Sequence, residues 1–154
     1  MLLIMRLKQK RLDLTQCTDC TCMNLRKAAR AVTQLYEKVM QPTGLRGTQY
    51  TLLVGLAMAG PVTMTRLAEW FVMDRTTLTR NLRLLARQSL IKVTPGEDRR
   101  ERVVTLTDRG HDAVTKALPL WQKAQQRVVQ GLGQKRWRRL LNDLSAVANM
   151  AQGS

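Results

Sequence analysis

Residues 63–110 read TMTRLAEWFVMDRTTLTRNLRLLARQSLIKVTPGEDRRERVVTLTDRG, and the order of elements in this stretch decides the fold. Asp74 is a good helix N-cap, because its carboxylate can accept from the orphan N–H groups of a first turn. Beyond it Leu78, Leu82 and Leu85 recur at i, i+4 and i+7, which predicts a helix with one apolar face. Thr76, Thr79, Arg80, Arg83 and Arg87 share the other side. Such a helix buries leucines and shows hydroxyls and guanidinium groups, which bond phosphates and base edges in a major groove.

The flanks of this helix complete the pattern. Thr63 can cap a shorter helix with Leu67 and Phe71 at i and i+4, and Val72-Met73-Asp74 makes the turn between the two. That is helix-turn-helix geometry. Downstream, residues 90–94 form a short β-prone run, residues 95–101 a turn dense in charge, and residues 102–106 a second β-prone run. A hairpin directly after a helix-turn-helix is a wing. An arginine at its tip can enter a minor groove, where narrowing concentrates negative potential.

Four groups of residues here resemble the MarR family of winged-helix transcriptional regulators. They are residues 74–80, Leu90-Ile91, Asp98-Arg99-Arg100 and Leu106-Thr107-Asp108-Arg109-Gly110. The wing signature, Asp-x-Arg followed by a strand and Leu-Thr-x-x-Gly, is the specific part, and the resemblance runs over roughly residues 22 to 150. One departure is Gln88-Ser89, where many relatives carry lysine and glycine. The resemblance implies a homodimer on a palindromic double-stranded DNA operator, usually a repressor released by an effector or an oxidant. It also implies that Arg100 is the minor-groove arginine, with Asp98 orienting it through a charge-assisted bond.

Working outward, residues 21–40 carry a helical stripe of Leu25, Ala29, Val32, Tyr36 and Val39 that Pro42 and Gly44 end. Thr48 is placed to cap the next helix, with Leu52, Leu53 and Leu56 on its stripe and Gly60-Pro61 as its stop. Thr107 can cap a long helix with Val114, Ala117, Leu118, Trp121, Ala124 and Val128 on one face. Pro119 lies inside that pattern and should kink the helix rather than end it, because the stripe resumes beyond. A last helix carries Trp137, Leu140, Leu141, Leu144 and Val147. These flanking helices hold more apolar face than a small winged unit can cover, and a dimer interface is the economical use of the surplus. The expected fold is therefore mainly α with a small β wing. The DNA-binding winged helix spans about residues 48–106, the dimerisation helices about 21–40 and 107–151, and residues 1–20 form a basic arm.

The chain has 154 residues, enough for one domain with a real core. Its formal net charge of +15 points to a polyanionic partner. The excess is spread along the chain, so specificity must come from the pattern on the second helix. No apolar run approaches the roughly 20 residues needed to span a bilayer. Residues 1–5 lack the basic lead and length of a secretion signal, so a cytoplasmic location is expected.

Cys17, Cys20 and Cys22 lie within six residues at the mouth of the first long helix. Three readings stay open. Cys22 can be a small buried hydrophobe and the others incidental. Thiols at a helix mouth with Lys10, Arg11, Arg26 and Lys27 nearby in sequence can be oxidised to a disulfide. Three thiolates can also hold a soft metal, although the spacing is crowded and no fourth ligand is evident.

The candidate DNA-binding residues are Thr76, Thr77, Thr79, Arg80, Arg83, Arg99 and Arg100, with Asp98 as wing support. Lys135, Arg136, Arg138 and Arg139 read as a solvated face. Trp121, Tyr36, Met40 and Met58 can line an effector pocket or simply be core. The only histidine, His111, reads as a surface or packed residue, and no phosphate loop, paired-carboxylate or HExxH motif occurs. No enzyme and no cofactor is expected. The competing readings are a winged-helix module that binds DNA without sequence preference or binds protein, and a thiol-based metal-binding regulator.

Overall fold

The computed structural model describes residues 14–98 and 100–153. They fall into two units, one ending at Thr33 and the other beginning at Gln34. Among the described residues there are six α-helices: α1 (Thr21–Met40), α2 (Gly47–Ala59), α3 (Met64–Trp70), α4 (Arg75–Arg87), α5 (Asp108–Leu132) and α6 (Gln134–Gln152). Three short strands, β1 (Val62–Thr63), β2 (Ile91–Pro95) and β3 (Arg102–Leu106), form one antiparallel sheet in the order β1-β3-β2.

In the first unit a single 3-10 turn, Thr15–Asp19, precedes the start of α1. Part of the expected arm is therefore ordered, and its residues 1–13 lie outside the described residues. The Asn24 side-chain amide donates to the carbonyls of Thr18 (2.9 Å) and Cys20 (3.0 Å), tying the turn to the first turn of α1.

The second unit is built on local signals followed by burial. Thr63, Asp74 and Thr107 each cap the helix expected of them, accepting from the backbone N–H of Arg66 (3.3 Å), Thr77 (2.8 Å) and Gly110 (3.0 Å). Helix α2 differs. It starts at Gly47 with Arg46 as N-cap, not at Thr48. The buried Gln49 accounts for this, because its Oε1 reaches back to accept from the Arg46 N–H at 2.9 Å. The core joins Leu52, Leu53 and Leu56 of α2, Leu67 of α3, Leu78, Leu82 and Leu85 of α4, and Ile91 and Val104 of the sheet. Helix α5 continues through Pro119, as the resumed stripe predicted.

Sheet register follows from burial. Ile91 pairs with Leu106 and Val93 with Val104, which brings Ile91, Val104 and Leu106 onto the core. β1 is an element the sequence did not disclose. Its Val62 and Thr63 pair with Val104 and Val103, so β3 is the central strand and the wing is rooted in front of α3.

Candidate nucleic-acid interface

Helix α4 divides as its sequence requires. Leu78, Leu82 and Leu85 are buried. Thr76, Arg80, Arg83 and Arg87 are all exposed and recur at i, i+4, i+7 and i+11, so they form one row along the opposite face. Arg87 belongs to this row on geometry, although it was not among the candidate contacts. Thr77 and Thr79 are half-buried on the two flanks of the row.

The hydroxyls separate the three threonines further. Thr77 gives its backbone N–H to Asp74 at 2.8 Å, and the Thr77 side chain beside that carboxyl is the chief cause that holds it below its ordinary range. The sign follows directly. This cap is complete above the usual carboxylate pKa and is lost as the pH falls through the depressed folded value. Thr77 is thereby occupied in starting the helix, and its carbonyl also accepts from the Asn81 amide at 2.9 Å. The Thr79 hydroxyl donates to the Arg75 carbonyl at 2.7 Å. The Thr76 hydroxyl has no partner among the described residues.

The basic side chains of the described residues are nearly all without a carboxylate partner. Among the described residues the one ion pair is Arg139 to Asp143, exposed at 4.0 Å and worth little. Arg80, Arg83, Arg87 and Arg100 have no carboxylate partner there, so their charge is free for a polyanion. Lys135, Arg136, Arg138 and Arg139 lie exposed at the opposite end of α6 from Gln152, which lines a cleft with Met64 and Val72 of the helix-turn-helix.

Asp98 supports the wing by another route than the charge-assisted bond the resemblance implied. Its Oδ1 accepts from the backbone N–H of Arg100 at 2.9 Å, and no contact with the Arg100 guanidinium occurs among the described residues. Its carbonyl accepts from Glu101, while Glu101 accepts from Gly96 across the tip. Asp98 thus shapes the turn and leaves the exposed Arg100 side chain unpaired. Arg99, the seventh candidate contact, lies outside the described residues.

The wing root is fixed to the end of α4. Thr107 donates its hydroxyl to the Ser89 carbonyl (2.7 Å) and its N–H to the Leu90 carbonyl (3.1 Å). Ser89 takes the left-handed conformation, φ 58°, that a glycine would adopt there, so serine does end the helix at this departure. Gly110 touches the same junction. A Cβ on it would stand 2.1 Å from the Leu90 carbonyl oxygen, which explains a glycine three residues after Thr107.

Two other candidate groups are distributed differently from the expectation. Met58 and Trp121 do line a cavity of about 540 Å³, together with Tyr50, Val54, Phe71 and Leu118. Tyr36 and Met40 do not line it. Met40 is core, and the Tyr36 hydroxyl donates to the Gln125 side chain. Burial raises the Tyr36 and Tyr50 hydroxyl pKa, so both remain neutral donors. Cys17, Cys20 and Cys22 are all exposed free thiols within one chain, so the chain itself does not bury Cys22. Among the described residues no three His, Cys, Asp or Glu side chains are placed to hold a metal ion. His111 is exposed. No helix of the described residues is long and apolar enough to cross a membrane.

Comparison with known proteins agrees with this geometry. The MarR family sequence pattern matches residues 43–101. The crystal structure of the Mycobacterium tuberculosis transcriptional regulator MosR in complex with DNA is similar, with a TM-score of 0.80. It is 36% identical and the match covers 87% of this chain and 97% of that one. A second crystal structure of M. tuberculosis MosR gives a TM-score of 0.77 at 33% identity, covering 88% of this chain and 98% of that one. The uncharacterized HTH-type transcriptional regulator YwoH of Bacillus subtilis (strain 168) is 28% identical over 83 residues, 54% of this chain. The chain spans only 61% of that relative's length. With the recognition row, the rooted wing and near full-length likeness to MosR together, the chain belongs to the MarR family of winged-helix transcriptional regulators.

Proposed function

We propose that this protein is a sequence-specific double-stranded-DNA-binding regulator that acts as a homodimer on a palindromic operator. The observation that carries this reading is the row of Thr76, Arg80, Arg83 and Arg87, unpaired and exposed on a helix held by three buried leucines. Arg80 and Arg83 are the base-edge contacts, and Arg100 at the wing tip enters the flanking minor groove. Thr76 and Arg87 hold phosphate. The likeness to MosR, whose structure is with DNA, supports the same reading.

The dimer is supported by α6, which has no buried residue although Leu140, Leu141 and Leu144 share its apolar face. Two-fold symmetry then places the half-sites about one helical turn apart. The protein acts as a repressor. Release follows when an effector in the cavity lined by Met58 and Trp121, or oxidation among Cys17, Cys20 and Cys22, favours a dimer whose recognition helices no longer match that spacing. Exposure of all three thiols supports the second route.

Gel-shift titration on the region upstream of its own gene tests this, with excess random competitor DNA, first with reductant and then with mild oxidant. Binding that survives competitor is expected. Loss on oxidation with a new disulfide-linked species assigns release to the thiols, and indifference to oxidant assigns it to the cavity. Binding abolished by random competitor in both states overturns the sequence-specific reading.

A further inference from the structure

We propose that Thr79 reads the 5-methyl group of a thymine, and that it is the residue of α4 whose contribution is apolar. The inference rests on the DNA-binding reading above and sharpens it at one side chain. A threonine offers one proton, two acceptor lone pairs and one methyl. At Thr79 the proton is already given to the Arg75 carbonyl at 2.7 Å, a back-bond within the helix. The hydroxyl therefore cannot donate to a phosphate or to a base acceptor without breaking that bond.

What remains outward is set by the tetrahedral Cβ. With Oγ1 turned back along the helix, the methyl is the substituent left to face the groove. Thr79 lies three residues after Thr76 and four before Arg83, so it stands on one flank of the recognition row beside those two. Its partial burial leaves a small apolar patch beside a guanidinium. In the major groove the one apolar feature presented by the four bases is the thymine methyl. The thymine read by Thr79 should then adjoin the base pair read by Arg83. Thr76, whose hydroxyl has no partner among the described residues, keeps the phosphate-donor role, and Thr77 is committed to Asp74.

The experiment begins by selecting duplexes from a random pool with the full-length protein under reducing conditions. Each thymine of the selected duplex is then replaced in turn by deoxyuridine, which removes only the methyl. The wild type should lose about fourfold in affinity at one thymine per half-site, the worth of one methyl-sized apolar contact. Thr79→Val keeps the methyl and should keep that sensitivity. Thr79→Ser keeps the back-bond, lacks the methyl, and should bind both duplexes equally. A Thr79→Ser protein still sensitive to methyl removal, a wild type insensitive at every thymine, or a Thr79→Val protein that loses affinity while Thr79→Ser keeps it overturns the assignment. The last result would give Thr79 an acceptor role toward a base amino group. Failure to enrich any duplex overturns the DNA-reading function itself, and with it this role, whereas enrichment without methyl sensitivity removes the Thr79 assignment alone.

Discussion

Helices α4 and α6 are both amphipathic and of similar make, yet the chain treats them differently. In α4 the leucines at 78, 82 and 85 are at most 2% exposed, closed over by α2, α3 and the sheet. In α6 no residue is buried, and Leu144 is 39% exposed. The buried stripe of α4 is thus closed within one chain, and the row opposite it is polar. The last helix carries the same kind of stripe with nothing among the described residues to bury it. Apolar periodicity therefore says that a face will be covered, and it does not say by which molecule.

The comparison breaks most severely at the wing root. Gly110→Ala would set a Cβ at 2.1 Å from the Leu90 carbonyl oxygen and 2.6 Å from Leu106 Cδ1, and the first of these is backbone that cannot turn aside. The expected cost is about 3 kcal/mol, at the upper end for overpacking. Urea unfolding should show it as a lower midpoint, with DNA binding lost at the same time. An unchanged midpoint would mean that the junction of α4, the wing and α5 is not the rigid point argued above.

The next substitution separates the two regions cleanly. Leu144→Glu places a charge on the open face of α6 and should leave the winged lobe folded. Sedimentation should show a monomer, with an unchanged far-ultraviolet spectrum. Operator affinity should fall about 100-fold, because linking two recognition helices multiplies affinity by roughly that factor or more. A dimer that persists would mean that α6 faces solvent and that the interface lies elsewhere.

Within the winged lobe, Arg83→Ala and Arg100→Ala each remove one guanidinium from a base edge. Each should weaken operator binding by roughly 1–3 kcal/mol, read by gel-shift titration. Arg87→Ala, which takes away a phosphate partner on this reading, should weaken all duplexes about equally and reduce the salt slope by about one. Equal effects on operator and random DNA for all three would reduce the recognition row to general attraction.

The legible parts of this molecule were those decided within a few residues. Thr63, Asp74 and Thr107 cap their helices because a short side chain reaches the N–H three residues on. The leucine row of α4 and the wing hairpin were equally local. β1 was not, since Val62-Thr63 is too short for any periodicity and becomes a strand only because β3 lies beside it. The start of α2 was misplaced because Gln49 reaches backward to Arg46, a choice that composition does not announce. At the site, the row on α4 was readable but the division of labour among Thr76, Thr77 and Thr79 was not. It depends on which acceptor each hydroxyl meets. Asp98 likewise bonds the Arg100 backbone and not its guanidinium, a difference no motif encodes.

Val72 gives the smallest expected effect and tests whether the lobe is as complete as α4 suggests. It closes the turn between α3 and α4 at φ 50°, a left-handed conformation that costs a β-branched residue about 1–2 kcal/mol. Its side chain is 63% exposed, so little burial offsets that cost. Val72→Gly removes the strain and adds backbone freedom to the unfolded chain worth roughly 0.5–1 kcal/mol. The balance should be a stabilisation of about 0.5–1 kcal/mol, a rise of a few degrees in Tm for a chain of this size. A fall in Tm would carry the opposite lesson. It would mean that Val72 is held by apolar contact with Met64 and Met73, which line the same cleft, and that this side of the helix-turn-helix, like α6, has a face still to be covered.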